Sequence, residues 1–90
     1  MNPRELVATI GVSGIIAFVW WNPTAKPNSG YFTVTLERML ESVEGSILYS
    51  DAFGLEDLEF VEAASQRAQH AILKLQRREF DLDQPLKMDA

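Results

Sequence analysis

The feature that most constrains this chain is an uncharged, strongly apolar segment close to its start. Residues Leu6 to Ala25 include no charged side chain, and from Leu6 to Trp21 polarity is limited to Thr9, Ser13 and two glycines. As a helix, the stretch from Leu6 to Trp21 would be about 24 Å long, somewhat shorter than the roughly 30 Å hydrocarbon layer of a bilayer. The environment that removes this segment from water therefore decides the fold class.

The two ends of the segment favour a membrane. Trp20 and Trp21 suit the headgroup boundary, Arg4 and Lys26 can extend outward from opposite ends, and Pro23 stops a helix beyond them. Residues 1–22 are accordingly predicted to form a single transmembrane anchor helix that spans with local thinning of the bilayer. The residues predicted to contact lipid are Leu6, Ile10, Ile15, Ile16, Phe18, Trp20 and Trp21.

Small residues recur along the same predicted helix. Thr9, Ser13 and Ala17 follow each other at intervals of four, with Gly14 beside them, which is the pattern that lets a second transmembrane helix approach closely. The pattern predicts a helix-packing seam. The alternative is that small residues are simply common in membrane helices.

Two other environments compete with the anchor. A cleaved signal peptide would need a small residue where Pro23 stands. A core element of a water-exposed protein, either a central helix or a Val/Ile-rich strand, would have to be hidden by the short amphipathic remainder of the chain. If the anchor inserts, its flanking charges weakly favour a cytoplasmic N-terminus, with the acidic tail on the opposite side.

Residues 23–31 are predicted to be a linker, because prolines, asparagines, serine and glycine favour turns there. From residue 32, apolar residues recur at steps of three and four, which predicts a first amphipathic helix, although "YFTVT" is also compatible with an extended conformation. The apolar positions are Phe32, Leu36, Met39, Leu40, Val43, Ile47 and Leu48.

A second helix is predicted from about Leu55 to Arg78, after turn residues near Gly54. Acidic residues crowd its first turns and basic residues its last, which matches the helix dipole. Residues 32–80 are thus predicted to form an antiparallel helical hairpin, and residues 81–90 an extended tail. The residues predicted to dock on a partner are Leu58, Val61, Ala64, Ala68, Ile72, Leu75 and Phe80.

The overall expectation is an all-α chain with an N-terminal transmembrane helix, a helical hairpin and an extended C-terminal arm. Two helices cannot enclose a core alone, so the hairpin needs other protein subunits, or further copies of this chain, to complete its packing. The lipid bilayer is the other expected partner.

Little in the sequence points to chemistry. A net charge of −5 disfavours nucleic acid, and no cysteine is present. His70 is the only histidine, and Glu59 and Glu62 are explained by the helix dipole and solvation. No catalytic residue, metal site, cofactor or small-molecule substrate is predicted.

The functional hypothesis is a non-enzymatic single-pass membrane protein that tethers an acidic interaction module to the bilayer. It would be a structural or accessory subunit of a larger complex, which includes a membrane-containing virion. The alternatives are a helical interaction protein whose apolar segment is the core of a homo-oligomer, a small membrane-active effector and, last, an enzyme.

Overall fold

The computed structural model describes residues 3–83, with side chains described for residues 3–77. The chain forms an antiparallel four-stranded sheet in the order β1-β2-β3-β4, followed by a single 3₁₀ turn and a long helix. The elements are β1 (Glu5–Val12), β2 (Ile15–Pro23), β3 (Gly30–Glu41), β4 (Ile47–Ser50), the 3₁₀ turn (Leu55–Asp57) and α1 (Leu58–Asp83).

The apolar opening segment is a β-hairpin. Val12 is opposite Ile15, so the connection consists of only Ser13 and Gly14, with φ angles of 49° and 84°. Positive φ at both central residues is the requirement of a type I′ turn, whose twist matches that of the strands it joins. The segment is therefore two β-branched-rich strands folded back on each other.

The later strands extend this meander. β2 pairs with β3 from Ile15 opposite Arg38 to Pro23 opposite Gly30, and β4 pairs with β3 only from Arg38 to Glu41. The turn before β4 is closed by the Ser42 amide donating to the Ser46 carbonyl at 2.8 Å. β3 is thus the longest strand, and β4 covers only its end.

The core lies between one face of the sheet and α1. Alternate residues of β2 are fully buried there, and they meet two buried alanines of α1. Because strand side chains alternate between faces, every second residue of β2 faces the helix. The five buried residues are Ile15, Ala17, Val19, Ala64 and Ala68.

Two polar contacts fix the start of α1 below the sheet. The Gly54 amide donates to Asp57 Oδ2 at 2.8 Å, which caps the 3₁₀ turn. Arg38 Nε lies 3.2 Å from Asp57 Oδ1, so an ion pair joins this turn to β3 beside the end of β4. The chain therefore enters the helix at a defined point beside β3.

The predicted all-α fold is wrong, because the protein is mostly β. The predicted anchor over residues 1–22 is a hairpin, and residues 3–83 contain no helix long and apolar enough to cross a bilayer. The single-pass membrane localisation is therefore not supported. The physical reason is the turn at Ser13 and Gly14, which divides the apolar run into strands of ordinary length.

The predicted helical hairpin is also wrong. Its first helix is replaced by β3 and β4, and α1 packs on the sheet instead of on another helix. The second predicted helix exists as the 3₁₀ turn and α1. Of the predicted linker, Pro23 belongs to β2, and Gly30 and Tyr31 belong to β3. Of the predicted tail, residues 81–83 are helical, and residues 84–90 lie outside the described residues.

The turn at Gly14 gives a first test. Gly14→Ala is expected to lower the free energy of unfolding by about 1–2 kcal/mol, the cost of a left-handed conformation for an L-residue, since nothing lies near enough to clash with the methyl group. Ser13→Asn, which creates the preferred Asn-Gly pair, should leave stability unchanged or raise it. Urea unfolding followed by circular dichroism measures both, and equal stability of Gly14→Ala and wild type would contradict the turn.

Gly30 gives a second test, for a steric reason. A Cβ there would lie 2.5 Å from the Asn22 carbonyl oxygen and 2.6 Å from Trp21 Cζ2. Gly30→Ala should therefore destabilise the protein by about 1–3 kcal/mol through overpacking. Gly11→Ala is the matched control, because no atom lies within 4 Å of a Cβ at that strand position. A Gly30→Ala variant no less stable than Gly11→Ala would contradict the close approach.

Candidate interaction surfaces

The predicted anchor residues divide between the two faces of the sheet. Ile15 is buried under α1, Ile10 is half-buried beside it, and the Trp21 ring lies 4.9 Å from that of Phe32, a residue packed against the core. The remaining residues lie on the opposite sheet face, which we call the open face because α1 does not cover it. They are Leu6, Ile16, Phe18 and Trp20.

The predicted seam residues have no common face. Ser13 and Gly14 form the turn, Ala17 is buried in the core, and Thr9 is exposed on the open face opposite Phe18. The spacing of four that defined the seam has no meaning in a strand, where the period is two.

Most of the predicted docking residues of α1 contact the chain's own sheet. Ala64 and Ala68 are buried, while Val61 and Ile72 pack against the core. Leu75 is half-buried. Leu58 is half-exposed, and the side chain of Phe80 lies outside the described residues.

The open face carries an aromatic cluster made of Phe18, Trp20 and Tyr49. The Phe18 ring centroid lies 6.3 Å from that of Trp20 and 6.5 Å from that of Tyr49, the second pair in an edge-on arrangement. Such separations and tilts are those preferred by interacting aromatic rings. The cluster therefore extends across the open face from β2 to β4.

The indole of Trp20 is held from two sides. Its Nε1 donates a hydrogen bond to Thr35 Oγ1 at 2.9 Å, and the Arg4 guanidinium carbon lies 3.8 Å from the ring centroid. The first contact fixes the ring edge, and the second is a cation–π contact on its face. Trp20 is consequently pre-organised on this surface.

Large apolar side chains surround the aromatic cluster. Antiparallel sheets with one uncovered face usually alternate apolar and polar residues, so that the uncovered face is polar. Here Met39, Ile47 and Tyr49 are 42%, 52% and 53% exposed, and Ile16 is half-buried beside them. An uncovered face of this composition is typical of a binding surface.

A concave feature lies on the helix side of the sheet. An open groove of about 300 Å³ separates β3 from α1. Its lining includes no charged residue and consists of Val34, Leu36, Ser65, Gln69, Ile72 and Leu73.

Charged side chains are a minority on the open face, where Glu37 lies opposite Ile16 and Glu41 lies opposite Ile47. Within residues 3–77, Arg4 is the basic side chain that contacts this face, whereas Arg38 pairs with Asp57 on the helix side. Arg67, Lys74 and the acidic Glu59 belong to α1. The open face is therefore mainly apolar and aromatic, and it also carries two acidic side chains.

Groups with catalytic or metal-binding chemistry are dispersed. In the part of the chain that the structure describes, no group of three or more His, Cys, Asp or Glu side chains is arranged to hold a metal ion. His70, Glu59 and Glu62 are each exposed on α1.

Comparisons with known protein families, with curated proteins and with solved structures found no match.

Several residues of the open face were not predicted to have a role. Met39 is an apolar position of the first predicted helix, and Tyr49 and Thr35 belong to no predicted site. The signal that identifies them is "YFTVT", in which Thr33, Val34 and Thr35 are β-branched and therefore favour a strand. Recognising β3 there would have placed Thr35 and Met39 on one face, because both are odd-numbered positions of the same strand.

The hydrogen bond to Trp20 gives a third test. Thr35→Val keeps the shape of the side chain but removes the acceptor for the partly buried indole N–H, and it should lower the free energy of unfolding by about 1 kcal/mol. Thr35→Ser retains the hydroxyl and is the control. In an NMR spectrum, the indole N–H resonance of Trp20 should shift in Thr35→Val and not in Thr35→Ser. An unchanged resonance in both would contradict this contact.

Proposed function

We propose that this protein is a non-enzymatic protein-interaction module that binds a protein partner through its open face. The observation that carries the proposal is the aromatic cluster of Phe18, Trp20 and Tyr49 on a sheet face that no described element covers. Tryptophan, tyrosine and arginine are the residues that most often dominate binding energy at protein interfaces. Trp20, Tyr49 and Arg4 all belong to this surface.

Pre-organisation supports the proposal. Ordering a flexible side chain on binding costs free energy, which lowers affinity. The Trp20 ring is already held by Thr35 and Arg4, and Phe18 packs between Trp20 and Tyr49. The side chains of this large apolar area are therefore already ordered in the folded protein, and binding needs little further loss of their conformational entropy.

A protein partner fits the surface better than a nucleic acid does. Aromatic residues on a sheet can stack on the bases of single-stranded RNA, but binding also requires basic groups for the phosphates. The chain has a net charge of −5, and Arg4 already stacks on Trp20. Apolar protein surface needs no such charges.

The non-enzymatic part of the proposal rests on the placement of the reactive groups. His70, Glu59 and Glu62 are exposed along α1, on the side of the sheet away from the aromatic cluster. Catalytic groups are normally gathered in one concave site, where burial and neighbouring groups adjust their reactivity.

The test is affinity capture with the immobilised chain, followed by calorimetry with each purified protein that it retains. Tyr49→Ala removes a side chain that is 53% exposed, so the fold should be unaffected. Loss of an aromatic anchor is expected to raise Kd by about ten-fold or more. Leu55→Ala is the matched control, since Leu55 is an apolar residue that is 84% exposed outside the sheet.

The result that supports the proposal is a protein bound by wild type and Leu55→Ala with equal affinity and by Tyr49→Ala more weakly. Retention that is identical for all three chains would contradict it. A self-associated wild type that Tyr49→Ala converts to a monomer would show that a second copy covers the open face, which also contradicts binding of a different protein there.

A further inference from the structure

Within the described part of the chain, the outer edge of β3 is unpaired over most of its length. β4 pairs with β3 only from Arg38 onward, so residues 30–37 have β2 on one side and, among the described residues, no strand on the other. A free strand edge presents unpaired amide and carbonyl groups to another chain.

The pairing pattern identifies which backbone groups are free. The Met39 amide donates to the Gly14 carbonyl at 2.8 Å, which continues the β2–β3 ladder by one step. In an antiparallel strand, alternate residues direct both backbone groups to the same neighbour. Odd-numbered residues of β3 therefore bond to β2, and the groups of Phe32, Val34 and Leu36 point outward.

The free edge of β3 lacks the devices that normally prevent strand pairing. Residues 30–36, "GYFTVTL", contain no charge and no proline, and the β2–β3 register is continuous. The edge of β1 differs, because its register shifts between Leu6 and Ala8, which leaves only Ala8 to Val12 in continuous pairing. β4 is only four residues long. Of the sheet's edges, the free part of β3 is the one suited to pairing.

We propose that this edge of β3 pairs antiparallel with the same edge of a second copy, so that the two sheets form one continuous sheet. Val34 lies opposite Val34 of the second copy, and Phe32 lies opposite Leu36. All three outward residues are then hydrogen-bonded, with two bonds for each opposed pair. If Leu36, and not Val34, lay opposite its own copy, the new ladder would include Arg38. Arg38 already pairs with β4.

The side chains match in this register. On the helix side, Phe32, Val34 and Leu36 form apolar pairs with their opposite residues, and on the open face Thr33 lies opposite Thr35. Both kinds of cross-strand pair are favourable. Glu37 lies opposite Tyr31, so no like charges are opposed. Residues 32–36, which form the hydrogen-bonded part of the ladder in each copy, carry no charge.

The groove beside β3 supports a second copy as the occupant. A two-fold axis perpendicular to the sheet places both α1 helices on the same side, next to the two grooves. The groove lining is uncharged, and Leu73 at its helix side is 48% exposed. Pairing at β3 would therefore cover apolar surface on both copies without burying an unpaired charge.

The same axis places both open faces on the opposite side of the joined sheet. Pairing at β3 does not depend on the proposed function, but its consequence does. If the open face binds a protein partner, the dimer presents two such faces in one plane and gains avidity for a partner with repeated sites.

The first test measures the mass of the full wild-type chain over a dilution series by sedimentation equilibrium. A dimer is expected. N-methylation of Val34 in a chemically synthesised chain blocks an outward amide without changing a side chain or the bonds to β2, and it should give a monomer. N-methylation of Val43, which is fully exposed in the turn before β4, is the control and should leave the dimer intact.

The second test checks the register. Tyr31 is 57% exposed and lies opposite Glu37 of the second copy in the proposed pairing. Tyr31→Glu opposes like charges at two symmetric places and should weaken the dimer roughly five-fold, whereas Tyr31→Lys should strengthen it. Circular dichroism and thermal unfolding of each variant check that the fold is retained.

Each outcome decides the proposal. A wild-type chain that remains a monomer at all concentrations overturns it, and so does a dimer that persists after N-methylation of Val34. A monomer whose captured partner is lost on N-methylation of Val34 shows that another protein's strand occupies the edge, which also overturns it. A dimer whose affinity is equal in Tyr31→Glu and Tyr31→Lys overturns the register. Loss of partner binding in Tyr49→Ala with the dimer intact supports the proposed function separately.

Discussion

The contact between β2 and α1 is the interaction on which the rest of the structure depends. Ile15, Ala17 and Val19 point to one side of the sheet and meet Ala64 and Ala68, whose small side chains let the helix lie close to the strand. Burial of this apolar surface is the main favourable term available to so short a chain. Since β2 is central and α1 covers one side only, this contact also determines which side of the sheet stays uncovered.

The uncovered side of the sheet is the candidate binding surface because its composition differs from that of most solvent-facing sheet surfaces. A solvent-facing sheet surface ordinarily needs polar residues, yet Phe18 and Trp20 alternate with buried positions of β2. β2 is therefore apolar on both faces, as strands are when both sides are covered. The open face and the free edge of β3 are separate surfaces of one sheet, one formed by side chains and the other by backbone groups. Both are explained if this domain folds alone but functions in contact with protein.

The sequence identifies α1 well and the sheet poorly, for physical reasons. The apolar stripe around Ala64 and Ala68 and the order of charges along the helix have no extended interpretation. The segment before it is ambiguous, because a strand that is apolar on both faces has the same composition as a membrane helix. Ser13 and Gly14 were the decisive signal, since the pair divides the apolar run into two strand lengths. In β3, the spacing of the apolar residues from Phe32 to Met39 fits both a helix and a strand, but the β-branched residues between them favour the strand. The open face could not be located until these strands were recognised.

The register shift at Val7 has a consequence for the size of any assembly. Joining chains through sheet edges produces an endless filament when both edges of the sheet can accept a neighbour. In this protein the register shift between Leu6 and Ala8 is an irregularity of the kind that bends a strand edge, and β4 offers only four residues, so growth through either edge is disfavoured. Association through β3 uses the same strand edge on both chains. Once two chains have paired, neither has a free β3 edge left. The sheet is thereby limited to a closed pair with fixed stoichiometry.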